Sequence, residues 1–129
     1  NLTDKPLQEF TNGFTGGAKI MLSASCNPHQ YGVAEFKDED KLIGIEEKPE
    51  HPKSHWVVTG FYLYDSSVYD IINELKPSER GEYEITDVNK KYLELGMLDY
   101  YTYYGRWRDV GTFESLNDCT DMLNSEDKR

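Results

Sequence analysis

The run KLIGIEEKP, residues 41–49, ends an apolar alternation on two acids, a lysine and a proline. A carboxylate such as Glu47 can accept two hydrogen bonds from sugar hydroxyls, and an ammonium such as Lys48 offers a point charge to a phosphate. If 41–47 is a strand, the pair sits at its end, where open α/β sheets bind ligands. The same two residues would also serve as a solvated strand end carrying adjacent opposite charges. Three further places invite a paired reading. Asp109, in WRDVGT, could hold a hard cation such as Mg²⁺ or simply shape an Asx turn. Arg80-Gly81 could bring a guanidinium fork and a closely approaching backbone to a phosphate, or form a plain loop. Tyr31-Gly32 could offer a backbone amide to a hydroxyl, or only begin a strand.

Other chemistries lack their residues. His29, His51 and His55 fall in loops without HxxxH or HExxH spacing, which argues against zinc. No GxSxG motif and no Cys–His arrangement points to a hydrolase. Cys26 and Cys119 are far apart and lack a CxxC or metal-like spacing, so buried free thiols in a cytosolic protein are expected. The net charge of −10 and the pI near 4.7 disfavour nucleic acid and anionic membranes as partners, because their phosphates repel such a surface. They leave room for a nucleotide, which needs one or two local cations and usually Mg²⁺. No apolar run approaches the ~18 residues of a membrane span and no signal peptide opens the chain, so a cytoplasmic location is expected. Tyr100, Tyr101, Tyr103 and Tyr104 read as a sheet face or an interface rather than a stacking platform for nucleic acid.

At 129 residues the chain is one domain or a piece of a larger one. Its ten tyrosines and five phenylalanines supply large apolar faces despite a modest hydrophobic content. Thr3 or Asp4 can cap a short helix with Pro6 in its first turn and Leu7, Phe10 and Phe14 on one face, broken by Gly16-Gly17. Strands are expected at 18–24 and at 56–64, with 31–37 and 41–49 forming a hairpin around the DED turn. One helix is expected from Asp65 or Ser66, with Val68, Ile71, Ile72 and Leu75 inward and Pro77 as its stop. Another runs from Glu84 to Leu95, with Ile85, Val88, Tyr92 and Leu95 inward and Gly96 as its stop. MLDYYTYYG and RWRDVG are strand-like, and Thr112 caps a last helix bearing Leu116, Cys119 and Leu123. This succession indicates the α/β class.

Taken in order, YGVAEF, EEKP with its short proline loop, VVTGFYLYD, LKPSERGEYEITDVNKKYLELG and WRDVGTFESL resemble the C-terminal half of bacterial glucose-1-phosphate thymidylyltransferases. These belong to the sugar-phosphate nucleotidyltransferase superfamily. The resemblance spans essentially the whole chain, and EITDVN after PSERGE, with VTGFYLYD upstream, is its specific part. It implies a mixed sheet with flanking helices, the sugar-binding C-terminal part of a Rossmann-like nucleotidyltransferase fold. The implied reaction is attack of a glucose 1-phosphate oxygen on the α-phosphorus of dTTP, with Mg²⁺ assistance, giving dTDP-glucose and pyrophosphate. Carried onto this chain, Gly32 presents its backbone to the sugar, Glu47 accepts sugar hydroxyls and Lys48 holds the sugar phosphate. Val58 lines the sugar pocket with its backbone, Tyr62 walls it, Arg80 joins Lys48 near the phosphate, and Asp109 binds the metal. Val110 departs from the Thr or Ala that often follows the metal aspartate, and the stretch before Trp107 is shorter than in longer members.

The family's Gly-rich nucleotide loop, with its arginine and catalytic lysine, belongs to an N-terminal half expected to be absent from this chain. Asn1 matches the Asn of the family's G-D-N motif, so a second metal aspartate would lie just upstream. The chain alone is therefore expected to hold the sugar half of a site and to show no nucleotidyl transfer. Uridylyl transfer remains open on the same resemblance. So do a non-catalytic sugar-phosphate-binding fragment and a scaffold whose tyrosine-rich edge mediates assembly, including as a homo-oligomer.

Overall fold

The computed structural model describes residues 2–3, 7–75 and 84–108. The elements run β1 (Leu2–Thr3), α1 (Gln8–Thr11), β2 (Ala18–Ala24), a 3₁₀ turn (Pro28–Gln30), β3 (Gly32–Lys37), β4 (Lys41–Glu47) and β5 (Trp56–Tyr64). They continue with α2 (Val68–Glu74), α3 (Ile85–Glu94), β6 (Leu98–Tyr103) and β7 (Trp107–Arg108). Five strands form one sheet in the order β4-β3-β5-β2-β6, and β1 and β7 form a separate antiparallel ribbon. The sheet is mixed, because β2 pairs antiparallel with β5 but parallel with β6. This is the expected α/β architecture of a mixed sheet with flanking helices.

Alternation along the strands sorts the core into two faces. Met21, Val33 and Val57 point to one face, where Phe10 of α1, Tyr103 and Trp107 cover them. Ile20, Leu22, Ala34 and Ile45 point to the other, joined by Leu93 of α3. Ala18 extends that second face toward Ile71 of α2 and Val88 and Tyr92 of α3. Strand β2 is thus buried on both sides, as its nearly unbroken apolar run requires.

The β3–β4 hairpin joins β5 at a single bridge, Val33 to Val57, and curls over toward β6. Its far end reaches β6: the Tyr100 hydroxyl donates to the Asp40 carbonyl at 2.6 Å, and Phe36 meets the Tyr100 ring edge-on at 5.2 Å. Leu93 packs among the residues of that concave side, so α3 lies within the curl. This curvature brings the first turn of α3 against the end of β4, where the site forms.

Asp65 ties three elements together. Its Oδ2 accepts the Gly17 N–H at 2.7 Å, and its Oδ1 accepts the Tyr92 hydroxyl at 2.9 Å and the Ser67 N–H at 3.1 Å. Gly17 has φ +73, and a Cβ there would lie 2.5 Å from the Met97 carbonyl oxygen, so the close approach of β2 to the start of β6 depends on glycine. The Gly17 N–H leads the causes that hold the Asp65 carboxyl below its ordinary 3.8, with the Tyr92 and Ser67 bonds adding to it. A carboxyl depressed in the folded state contributes stability that is present above its unfolded value and lost as pH falls through the folded one. Asp65→Asn should therefore lower the melting temperature at pH 7 and leave a shallower acid branch below about pH 4. Thermal melts of both proteins from pH 2 to 7 check this.

Several expected details differ. Thr3 lies in β1 rather than capping a helix; α1 begins at Gln8 and ends at Thr11, leaving half-buried Phe14 outside it. Pairing of β1 with β7 overrides the local capping signal. In α2, Ile71 is buried but Ile72 faces solvent. In α3, Ile85 and Leu95 are exposed while Thr86 and Asn89 are buried beside Val88 and Tyr92. That helix face is rotated toward its polar members because they have partners inside, as described below. Cys26 is free but exposed rather than buried. Pro77, Cys119 and the helix expected after Thr112 lie outside the described residues.

Candidate functional site

The β3–β4 ladder sets Gly32 directly opposite Glu47, the last residue of β4. A Cβ on Gly32 would lie 3.3 Å from Glu47 Oε2, 3.6 Å from Thr86 Oγ1 and 3.6 Å from Val58 Cβ, so these four residues share one small volume. Thr86, in the first turn of α3 and nearly fully buried, donates its hydroxyl to Glu47 Oε2 at 2.5 Å. Tyr62 completes the group. It packs on the same apolar cluster as Val58, and burial first, with the Glu47 charge second, raises its phenol above the ordinary value.

Lys48 follows immediately, with φ +45. A non-glycine residue in the left-handed region costs about 1–2 kcal/mol, and the following Pro49 restricts it further. The Lys48 N–H is held by the Tyr31 carbonyl at 2.9 Å, and Pro49 is buried behind it. Strain of this kind persists where surrounding structure over-determines it, and such positions cluster at ligand sites. Among the described residues the Lys48 ammonium makes no ion pair, and its side chain is exposed. Tyr31 meets Trp107 edge-on at 5.4 Å, so the Lys48 segment stands beside β7, whose end leads into Asp109.

Of the residues expected at the site, the fold brings Gly32, Glu47, Val58 and Tyr62 together with Lys48 adjacent in the chain. Arg80 and Asp109, with Gly81, lie outside the described residues. Thr86 was not anticipated. Its signal is a threonine at the second position of a helix, after an acid-rich stretch of sequence, where apolar periodicity alone points outward. Among the described residues no group of three or more His, Cys, Asp or Glu could hold a metal.

Gly32 offers a separable test. It is not among the positive-φ positions, so its backbone accepts alanine. Gly32→Ala should leave stability within about 1 kcal/mol of the parent, because Glu47 can shift by the few tenths of an ångström that a methyl 3.3 Å from its Oε2 requires, while crowding the approach to Glu47. If the sugar phosphate implied by the resemblance binds here, its affinity should weaken by about tenfold with a melting temperature near that of the parent. Equal affinity in both proteins would remove Gly32 from any sugar site.

The model of the nucleotidyl transferase family matches residues 6–126. This chain belongs to the nucleotidyl transferase family. Among its relatives, it is 46% identical over 117 residues to the glucose-1-phosphate thymidylyltransferase of Mycolicibacterium smegmatis, covering 89% of this chain and 40% of the relative. It is 43% identical over 114 residues to the same-named enzyme of Neisseria meningitidis, covering 86% of this chain and 39% of the relative. The chain therefore spans about two fifths of the length of these curated relatives. A Bacillus anthracis protein named for the same enzyme, solved in complex with a sucrose, superposes with a TM-score of 0.79 at 49% identity, over 90% of this chain and 46% of that one. A UDP-glucose pyrophosphorylase complexed with UDP-glucose shares the nucleotidyl transferase fold at a TM-score of 0.73 and 20% identity, over 84% of this chain and 44% of that one. Among the described residues of this nucleotidyl transferase, no helix is long and apolar enough to cross a membrane.

Proposed function

We propose that this chain is the sugar-binding portion of a glucose-1-phosphate thymidylyltransferase, which transfers dTMP from dTTP to glucose 1-phosphate and releases pyrophosphate. The observation that carries the reading is the meeting of Gly32, Glu47, Val58, Tyr62 and Thr86 beside a strained lysine without an ion-pair partner among the described residues. The names of relatives at 43–46% identity point the same way.

Each residue has a task that follows from its surroundings. Thr86 occupies one oxygen of Glu47 and fixes the carboxylate plane, so that Oε1 is aimed at a sugar hydroxyl. Gly32 leaves the space in which that hydroxyl sits. The Tyr62 ring supplies an apolar wall for a sugar face, as aromatic rings with a polar tip commonly do. Lys48 and Arg80 neutralise and orient the sugar phosphate, whose oxygen attacks the α-phosphorus of dTTP. Such a transfer gains mainly from positioning and from charge placed in advance. Mg²⁺ would be held at Asp109: it takes one or two carboxylates together with phosphate oxygens and water, and one aspartate beside two phosphorylated substrates fits that donor set. When bound it neutralises charge on the triphosphate.

The test is turnover by an enzyme that contains this chain together with a nucleotide-binding portion, offered dTTP and UTP in turn. Formation of dTDP-glucose in preference to UDP-glucose supports the reading. A preference for UTP would move it to uridylyl transfer, and glucose 1-phosphate binding without turnover would leave a non-catalytic sugar-phosphate module.

A further inference from the structure

Behind Tyr62 stand two more tyrosines. The Tyr62 and Tyr64 rings lie 5.8 Å apart with planes 20° from parallel, and the Tyr64 and Tyr92 rings lie 5.6 Å apart at 23°. Tyr62 and Tyr64 stack because alternate residues of β5 share a face; Tyr92 comes from α3. The three rings form one continuous stack from the site into the core. Both rear rings are tethered through their hydroxyls. Tyr64 donates to Asn89 Oδ1 at 2.5 Å, and Tyr92 donates to Asp65 Oδ1 at 2.9 Å. Burial, then the bond to Asp65, pushes the Tyr92 phenol up to about 12, so the hydroxyl stays protonated as a donor.

A second observation singles out Asn89. It is 1% exposed, and its Nδ2 is a buried polar atom with no hydrogen-bond partner among the described residues. Leaving a buried donor unmet is unfavourable, and an apolar residue of similar size would fill the place without that penalty. What such a residue would lose is the acceptor for Tyr64.

We propose that Asn89 and Asp65 are positioning residues for Tyr62, anchoring Tyr64 and Tyr92 so that the stacked rings hold Tyr62 as a fixed wall beside Glu47. The proposal rests on the reading of Tyr62 as the sugar wall. It assigns the stack to specificity: a sugar that stacks flat on a fixed ring is accepted, and one that would need the ring to tilt is disfavoured.

The experiment has two arms, applied to the protein and to its Asn89→Leu, Tyr64→Phe and doubly substituted forms. The first follows the Tyr62 ring without ligand, by aromatic NMR of ¹³C-tyrosine-labelled protein. Ring flipping of Tyr62 should be about tenfold faster in either single variant, by loss of one tether worth roughly that factor, and no faster in the double than in the singles. The second arm titrates glucose 1-phosphate and galactose 1-phosphate. Affinity for glucose 1-phosphate should fall roughly 3- to 10-fold, the range of a stacking contact, with galactose 1-phosphate affected less. A purely structural role would lower the melting temperature without that selectivity. Unchanged flipping of Tyr62 in folded Tyr64→Phe protein, a substitution that preserves the packed ring, overturns the proposal even if Asn89→Leu does not fold. So does faster flipping with unchanged glucose 1-phosphate affinity. If the unsubstituted protein binds no glucose 1-phosphate, the functional reading fails, and the ring measurement alone then decides whether the Asn89–Tyr64 tether positions Tyr62.

Discussion

Replacing Lys48 by alanine is expected to lower kcat/KM for glucose 1-phosphate by roughly 10²–10³, as removal of a charge placed in advance typically does. An ammonium about 4 Å from a phosphate is worth on the order of 4 kcal/mol at an effective dielectric near 20, before lost hydration is subtracted. KM should rise and kcat should fall together, because in the proposed role the same charge binds the ground state and steadies the attacking phosphate. Lys48→Gly separates function from strain. Glycine adopts φ +45 freely, so that variant should match or exceed the parent in stability, by about 1 kcal/mol at most, and yet lose the same activity. Steady-state kinetics beside thermal melts distinguish the two effects. Wild-type kinetics in Lys48→Ala would reduce Glu47-Lys48-Pro49 to a solvated strand end.

Asp109→Asn is expected to be the second large loss, and to fall on the metal. Asparagine keeps the shape but removes the charge that a hard cation favours. The Mg²⁺ concentration needed for half-maximal turnover should rise by about tenfold or more, while glucose 1-phosphate affinity stays near that of the parent. An unchanged Mg²⁺ titration would remove Asp109 from the site.

Much of the frame was legible because local preference and tertiary placement agree. Strands 18–24 and 56–64 fall where their β-branched and aromatic runs place them, since polar or glycine-containing segments bound them on both sides. The hairpin and α3 are found within one or two residues at most ends. The beginning was not legible: a capping pattern at Thr3 competes with strand pairing across the fold, and pairing wins. Val88 and Tyr92 of α3 face inward as expected, but Ile85 and Leu95 do not, for a related reason. Apolar periodicity sends Thr86 and Asn89 outward, but each has a dedicated partner, Glu47 and Tyr64, and a partnered polar group can be buried. Glu47 and Lys48 were visible as a motif. Thr86 and Asn89 were not, because their roles depend on where α3 packs against β4 and β5.

The most direct measurement is a calorimetric titration of glucose 1-phosphate into this chain, into its Lys48→Ala form and into its Glu47→Gln form, with galactose 1-phosphate as the competing sugar. The Glu47–Thr86 cradle and the Lys48 charge predict saturable one-to-one binding of glucose 1-phosphate. They also predict loss of that binding in Lys48→Ala and reduced discrimination between the two sugars in Glu47→Gln. Saturable binding that is identical in all three proteins, or none in any of them, would contradict a sugar-phosphate clamp at the end of β4.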